Sequence, residues 1–243
     1  MYCSLADLHA FLDDMKAPLH LVQHRVRYYL LCIQAMLKAM KVPLEKINFV
    51  TGSSYQLSPP YVIDSMRLAV KTSQRDAIKA GAEVVKQSSN PSLSGLWYPG
   101  MQALDEQYLD ADAELGGVDQ RKIFIFAEKY LPLLGYRKRV HLLNHMVGGL
   151  KGGKMSASDP GSKIDILDDD GAIRKKVSKA FCAAGNVEEN ALLTLVQHIV
   201  IPLFDIMFGE AFIIPREEQF GGTVAYTNFV QVQEDFQAEK VWY

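Results

Sequence analysis

Cysteine is scarce. Cys3, Cys32 and Cys182 are the only three in 243 residues. They are too few and too scattered for a disulfide framework or a zinc knuckle, so free, reduced thiols are expected. An excess of one charge is also missing. Lys and Arg total 26 against 28 Asp and Glu, for a formal net charge of −2, so no overall basic character advertises a nucleic-acid partner. Any RNA contact would use local patches such as Arg137-Lys138-Arg139 or Arg174-Lys175-Lys176, and short runs of this kind are usually solvated faces. No apolar run is read as approaching the ~20 residues of a membrane span. Asp7, Asp13 and Asp14 spoil a targeting presequence. A cytoplasmic protein without a membrane partner is the expectation. Apolar side chain is plentiful: 49% of residues are hydrophobic and 22% charged. That suits one large packed domain, or one with a smaller appendage.

Along the chain, strands and helices alternate. Met1 to Leu8 is a short apolar run that reads as a buried strand. From Leu19 to Met40 apolar residues recur at helical spacing. Ile47 to Val50 reads as a second strand closed by the turn-forming Thr51-Gly52-Ser53-Ser54. Two strands bracketing a helix make a βαβ unit, for which parallel pairing is the default. Helical patterns follow over Tyr61–Gln87, Met101–Leu109 and Asp119–Tyr130, then a candidate strand over Tyr136–Leu143 and a Gly-rich loop over Val147–Ser158. From Ile173 onward the pattern is helical. The order predicts an α/β fold with a parallel sheet first and a helical part after it.

Two strings carry chemistry. In Lys151-Gly152-Gly153-Lys154-Met155-Ser156-Ala157-Ser158, glycines let the backbone bend, and lysines with hydroxyls suit a polyphosphate that is gripped and then released. The P-loop spacing is absent, and composition alone describes many plain surface loops. The second string, Trp97 to Asp105, is followed by Gly116-Gly117-Val118-Asp119-Gln120-Arg121-Lys122. On a helix Tyr98, Gln102 and Asp105 share one face. Three polar groups on an otherwise apolar helix need partners, either a hydrogen-bonded core network or a pocket with a phenol, an amide and a carboxylate.

Lys154 to Ser158 resembles the KMSKS signature of class I aminoacyl-tRNA synthetases, with Ala157 in place of its second lysine. Trp97 to Asp105 and Gly116 to Lys122 look like the tyrosine–tRNA ligases among them, of eukaryotic cytosolic and archaeal type. Further similar stretches are Ala6–Ala10, Lys79–Gln87 and Ala180–Glu188. The resemblance implies a Rossmann-like sheet over about 1–165 with a dimerisation segment inserted near 60–97. A linker and a partial helical anticodon-binding domain would follow over 166–243. It implies that Tyr98, Gln102 and Gln120 hold the amino group of L-tyrosine and that Asp105 accepts from its phenol. Phenylalanine would then be rejected, an argument for which this enzyme family is itself the standing example. The loop Lys154, Met155, Ser156, Ala157 and Ser158 would bind ATP, with Lys154 stabilising charge on the leaving pyrophosphate and Lys151 supplementing it. His9 and Gln56 are placed at the pocket rim. ATP with Mg2+ as its counter-ion, tRNA(Tyr) and a second copy of the chain are the implied partners, with no protein-held metal. By the same resemblance, the chain is expected to begin after the first βα unit, which carries a HIGH-like turn, and to stop short of most anticodon-binding helices. Two alternatives stand beside this: a paralogue or fragment that retains only tyrosine binding, and the tryptophan enzyme, whose loop can also run into Asp159-Pro160.

Overall fold

In the computed structural model, residues 1–13, 18–85, 89–153, 155, 159–188 and 190–240 are described. Two compact units divide the chain, Met1–Met146 and Val147–Tyr243.

The first unit opens with strand β1 (Tyr2–Leu5), shorter than the run to Leu8. Asp7 ends it: its Oδ1 accepts from the Leu8 N–H at 2.9 Å and the Ser53 N–H at 2.8 Å, which turns the chain into α1 (Asp7–Leu12). Helix α2 (Leu19–Ala39) follows Pro18, whose fixed φ suits a helix start. Strand β2 (Asn48–Thr51) pairs parallel to β1, Tyr2 opposite Asn48 and Leu5 opposite Thr51, as expected of a βαβ unit.

Short α3 (Ser53–Gln56) leads to α4 (Pro59–Lys71) and α5 (Gln74–Gly81). The single helical stretch read from Tyr61 onward is thus two helices. Ser73 separates them, because its hydroxyl caps α5 by accepting from the Asp76 N–H at 3.2 Å. Helix α6 (Leu93–Tyr108) is capped by Ser92 and contains Pro99. Strand β3 (Ala113–Gly117), α7 (Arg121–Tyr130) and β4 (Val140–Asn144) complete the unit. β3 and β4 pair parallel, with Glu114 opposite His141 and Leu115 opposite Leu142. β3 was not anticipated: Ala-Glu-Leu-Gly-Gly has poor strand propensity, and pairing with β4 overrides it.

The core of this unit joins α4, α5, α6, α7 and the turn after α7, through Tyr61, Leu68, Ala80, Met101, Leu104, Phe126, Tyr130 and Leu131. Asp64 pins it from within. Burial alone would raise its pKa, but hydrogen bonds from Tyr136, Tyr108 and Arg67 outweigh that and hold it below the usual range. The β3–β4 pair leaves Leu115, Val140 and Leu142 exposed in this chain.

The second unit contains α8 (Asp170–Ser178), α9 (Ala191–Leu195) and α10 (Ile201–Phe208). A π turn, Val196–Val200, joins α9 to α10. Pro202 accounts for it, since it cannot donate to the carbonyl four residues back. Ala191–Phe208 is therefore one helical run, with a mean hydropathy of 1.9. This corrects the expectation that no apolar run comes near the length of a span. Part of its surface is packed: Leu193, Val196 and Ile201 meet Tyr226, Val232 and Phe236. The expectation of helix throughout is corrected too. β5 (Phe212–Ile214) and β6 (Val224–Tyr226) form an antiparallel pair before α11 (Phe229–Gln237). Gly209 ends α10 at a φ of +63°, and Gly221 and Gly222 supply positive φ values ahead of β6.

Candidate functional site

The anticipated helix face exists. α6 carries Tyr98, Gln102 and Asp105, and Gln120 closes a 3-10 turn between β3 and α7. Gln102 Nε2 donates to Gln120 Oε1 at 3.0 Å, so the two amides are in direct contact. Gly116 makes this possible. A Cβ there would lie 2.9 Å from the Phe124 ring and 3.1 Å from Gln120 Cγ, so any other residue would push Gln120 away.

Asp105 is the electrostatic centre. Gln56 Nε2 donates to both its oxygens, at 2.8 and 3.0 Å. Tyr61, almost fully buried, places its hydroxyl 2.8 Å from Asp105 Oδ1 and 2.7 Å from the Met101 carbonyl. Burial pushes the Asp105 carboxyl up to about 6, despite hydrogen bonds from Gln56, Tyr61 and Tyr55 that act the other way. At pH 7.5 it is therefore an ionised acceptor, and its donors are what make ionisation tolerable. Burial, with the charge of Asp105, in turn raises the phenols of Tyr55 and Tyr61.

Tyr98 sits against His9, ring centroids 4.6 Å apart and edge-on, and burial pushes its phenol up to about 12. His9 is not a rim residue. It is buried, and burial lowers its imidazole to about 4, so it is neutral at physiological pH. Gln56 is equally buried and lies 3.5 Å from His9 Nδ1. A chain of contacts thus runs from Tyr98 through His9 and Gln56 to Asp105. Gly52 leaves room for it, since a Cβ there would lie 2.7 Å from Gln56 Oε1 and 3.0 Å from Asp7 Oδ1. Sequence reading missed Tyr55 and Tyr61 and undervalued Gln56. Only the fold brings α3 and α4 onto α6; no local pattern marks these three.

In the second unit the Gly-rich loop folds on itself. Gly149 N–H donates to the Gly153 carbonyl at 2.8 Å, and Gly152 and Gly153 take positive φ values of +87° and +69°. Lys151 Nζ contacts both oxygens of Asp159 at 2.9 Å, so this lysine is already engaged. Of the loop residues expected to bind ATP, Lys154, Ser156, Ala157 and Ser158 lie outside the described residues, and Met155 is exposed. Half of the residues in the two basic clusters are engaged locally. Arg137 pairs with Asp112 at 2.7 Å, Lys176 with Asp168 at 2.5 Å, and buried Arg139 donates to Gln107 at 2.6 Å.

The family model for class I tRNA synthetases of the W and Y type matches residues 1–242. The chain belongs to that family. It is 57% identical over 98% of its length to the cytoplasmic tyrosine–tRNA ligase of Saccharomyces cerevisiae, covering 61% of that protein. To the cytoplasmic tyrosine–tRNA ligase of Xenopus laevis it is 56% identical over 97% of its length, covering 44%. The chain therefore spans about half the length of these relatives. Among solved structures, a tyrosyl-tRNA synthetase from Archaeoglobus fulgidus complexed with L-tyrosine superposes with a TM-score of 0.88 at 35% identity, over 99% of this chain and 72% of that one. The Rossmann-like α/β fold of this synthetase family accounts for the two parallel strand pairs and their helical crossovers.

Proposed function

We propose that this chain is the tyrosine-recognising part of a cytoplasmic tyrosine–tRNA ligase. Such an enzyme activates L-tyrosine with ATP to tyrosyl-adenylate and passes it to tRNA(Tyr). The observation that carries the reading is the α6 face, which presents an ionised, partly buried carboxylate at one end and an amide pair at the other. Tyr98, Gln102 and Gln120 receive the ammonium of tyrosine. Asp105, held by Gln56 and Tyr61, accepts from its phenol, and phenylalanine would leave that acceptor without its partner. Activation requires the substrate carboxylate to attack the α-phosphorus of ATP while pyrophosphate leaves. Positioning and charge stabilisation suffice for this, without a covalent enzyme intermediate.

Lys154 takes the pyrophosphate charge in this reading, because Lys151 is occupied by Asp159. Mg2+ enters as the counter-ion of ATP, with no protein-held metal. Homodimerisation is assigned to the segment near 60–97. There Ile63, Met66 and Val70 form an exposed stripe on α4 at helical spacing, Val70 being 87% exposed. Beside it lies a cavity of about 330 Å3, lined by residues including Leu68, Leu93, Leu96, Trp97 and Phe126.

The test is twofold. L-Tyrosine should raise the melting temperature of the purified chain while L-tryptophan and L-phenylalanine do not, and a tryptophan response would favour the tryptophan enzyme. Tyrosine-dependent ATP–pyrophosphate exchange then separates an active ligase from a paralogue or fragment that only binds.

A further inference from the structure

Behind the amide pair lies a cluster that the proposed reaction does not use. Glu106 follows Asp105 on α6 and is 2% exposed. Glu114 and His141 face one another across the β3–β4 register. One carboxyl oxygen from each glutamate and one imidazole nitrogen all lie within 4.8 Å of one another. His141 Nε2 is 2.9 Å from Glu106 Oε1, and its Nδ1 is 3.3 Å from Glu128 Oε1 on α7. The Phe124 ring stacks on the imidazole at 4.4 Å and excludes water from that side. Glu106 Oε2 and Glu114 Oε2 are buried and meet no hydrogen-bond donor. Two carboxylates left this way are costly, and a single proton between them supplies the missing donor.

The groups facing Glu114 are Asp105 and Glu106 from α6 and His141 from β4, with Glu128 of α7 and Arg139 beyond them. Arg139 is occupied by Gln107 and the Arg137 and Ala111 carbonyls. Burial, reinforced by the charge of Glu106, raises the Glu114 carboxyl well above the usual carboxylate range. Gln102 lies four residues before Glu106 on α6, one turn away on the same side of the helix, so the amide assigned to the substrate ammonium adjoins this acid pair.

We propose that Glu106 and Glu114 hold one proton between them in the ligand-free protein, and that docking of a cationic amino group against Gln102 expels it to solvent. The inference rests on the tyrosine-binding reading above. The positive charge of the ligand favours the ionised pair, one carboxyl O–H bond is broken, and the proton passes to water or buffer. Glu114 is thereby a positioning residue whose charge appears only when the site is filled. Tyrosine binding is consequently linked to proton release.

The experiment is titration calorimetry of the full chain with L-tyrosine at pH 7.5, in buffers of different ionisation enthalpy. It is run on the wild type and on Glu114→Gln, which keeps the shape and removes the proton. Unliganded stability is measured from pH 6 to 8 in parallel. The wild-type heat should vary with buffer, reporting net proton release on tyrosine binding, and that of Glu114→Gln should not. Wild-type stability should fall relative to that of Glu114→Gln from pH 6 to 8, the groups the two proteins share cancelling in the difference. Buffer-independent heats in the wild type, matching pH profiles, or one equivalent of divalent cation retained on the purified chain would each overturn the proposal. Should no tyrosine bind while the stability difference persists, the functional reading falls and the linkage with it, but the shared proton stands.

Discussion

Replacing Asp105 with asparagine tests the electrostatic centre directly. The carboxyl moves from 3.8 to about 6 because burial outweighs the donors around it. A shift of about two units, at about 1.4 kcal/mol each, amounts to about 3 kcal/mol. The pKa is raised, so the folded state holds the proton more tightly than the unfolded chain. The group's stability contribution is complete below pH ~3.8 and is lost as pH rises through about 6. Asparagine has no charge to bury and so lacks this loss. Its amide nitrogen, however, would face the Gln56 and Tyr61 donors and leave one of them without an acceptor, a cost of about 1–3 kcal/mol at any pH. At pH 7.5 the two effects nearly cancel. At pH 4 to 5 the variant should be the less stable protein. Urea denaturation of both proteins between pH 4 and 7.5 reads this as a gap that closes on raising pH, and parallel profiles would refute the reasoning. The tyrosine-induced rise in melting temperature should be lost in the variant at every pH.

Other perturbations separate recognition from packing. Tyr61→Phe removes the hydroxyl that touches both Asp105 and the Met101 carbonyl; chemical denaturation should show a loss of about 1–3 kcal/mol, with weaker tyrosine binding by calorimetry. Leu104→Ala empties a site with no exposed surface and should cost about 2–5 kcal/mol without altering the ligand's selectivity. Gly116→Ala places a methyl 2.9 Å from Phe124, so tyrosine affinity should fall more than stability does, as Gln120 is displaced. Met66→Glu with Val70→Glu charges the exposed stripe of α4 and tests the proposed homodimer: light scattering should find self-association weakened about tenfold or more, with an unchanged circular dichroism spectrum.

The sequence alone determined where the strongest helical repeats lie and which side chains share a helix face. Both follow from a fixed repeat: apolar residues three and four apart specify α2, and Tyr98, Gln102 and Asp105 fall on one side of α6 whatever surrounds them. Where the local signal was weak, tertiary contacts decided. β3 exists because β4 pairs with it, and β5 and β6 stabilise each other inside a stretch that reads as helix. The environment of Asp105 is the clearest case. Its donors, Gln56 and Tyr61, lie 49 and 44 residues away in the chain, and no periodicity reaches that far. A buried charge is settled by whichever groups the fold delivers to it, so its pKa, its partners and its use are properties of the packed molecule.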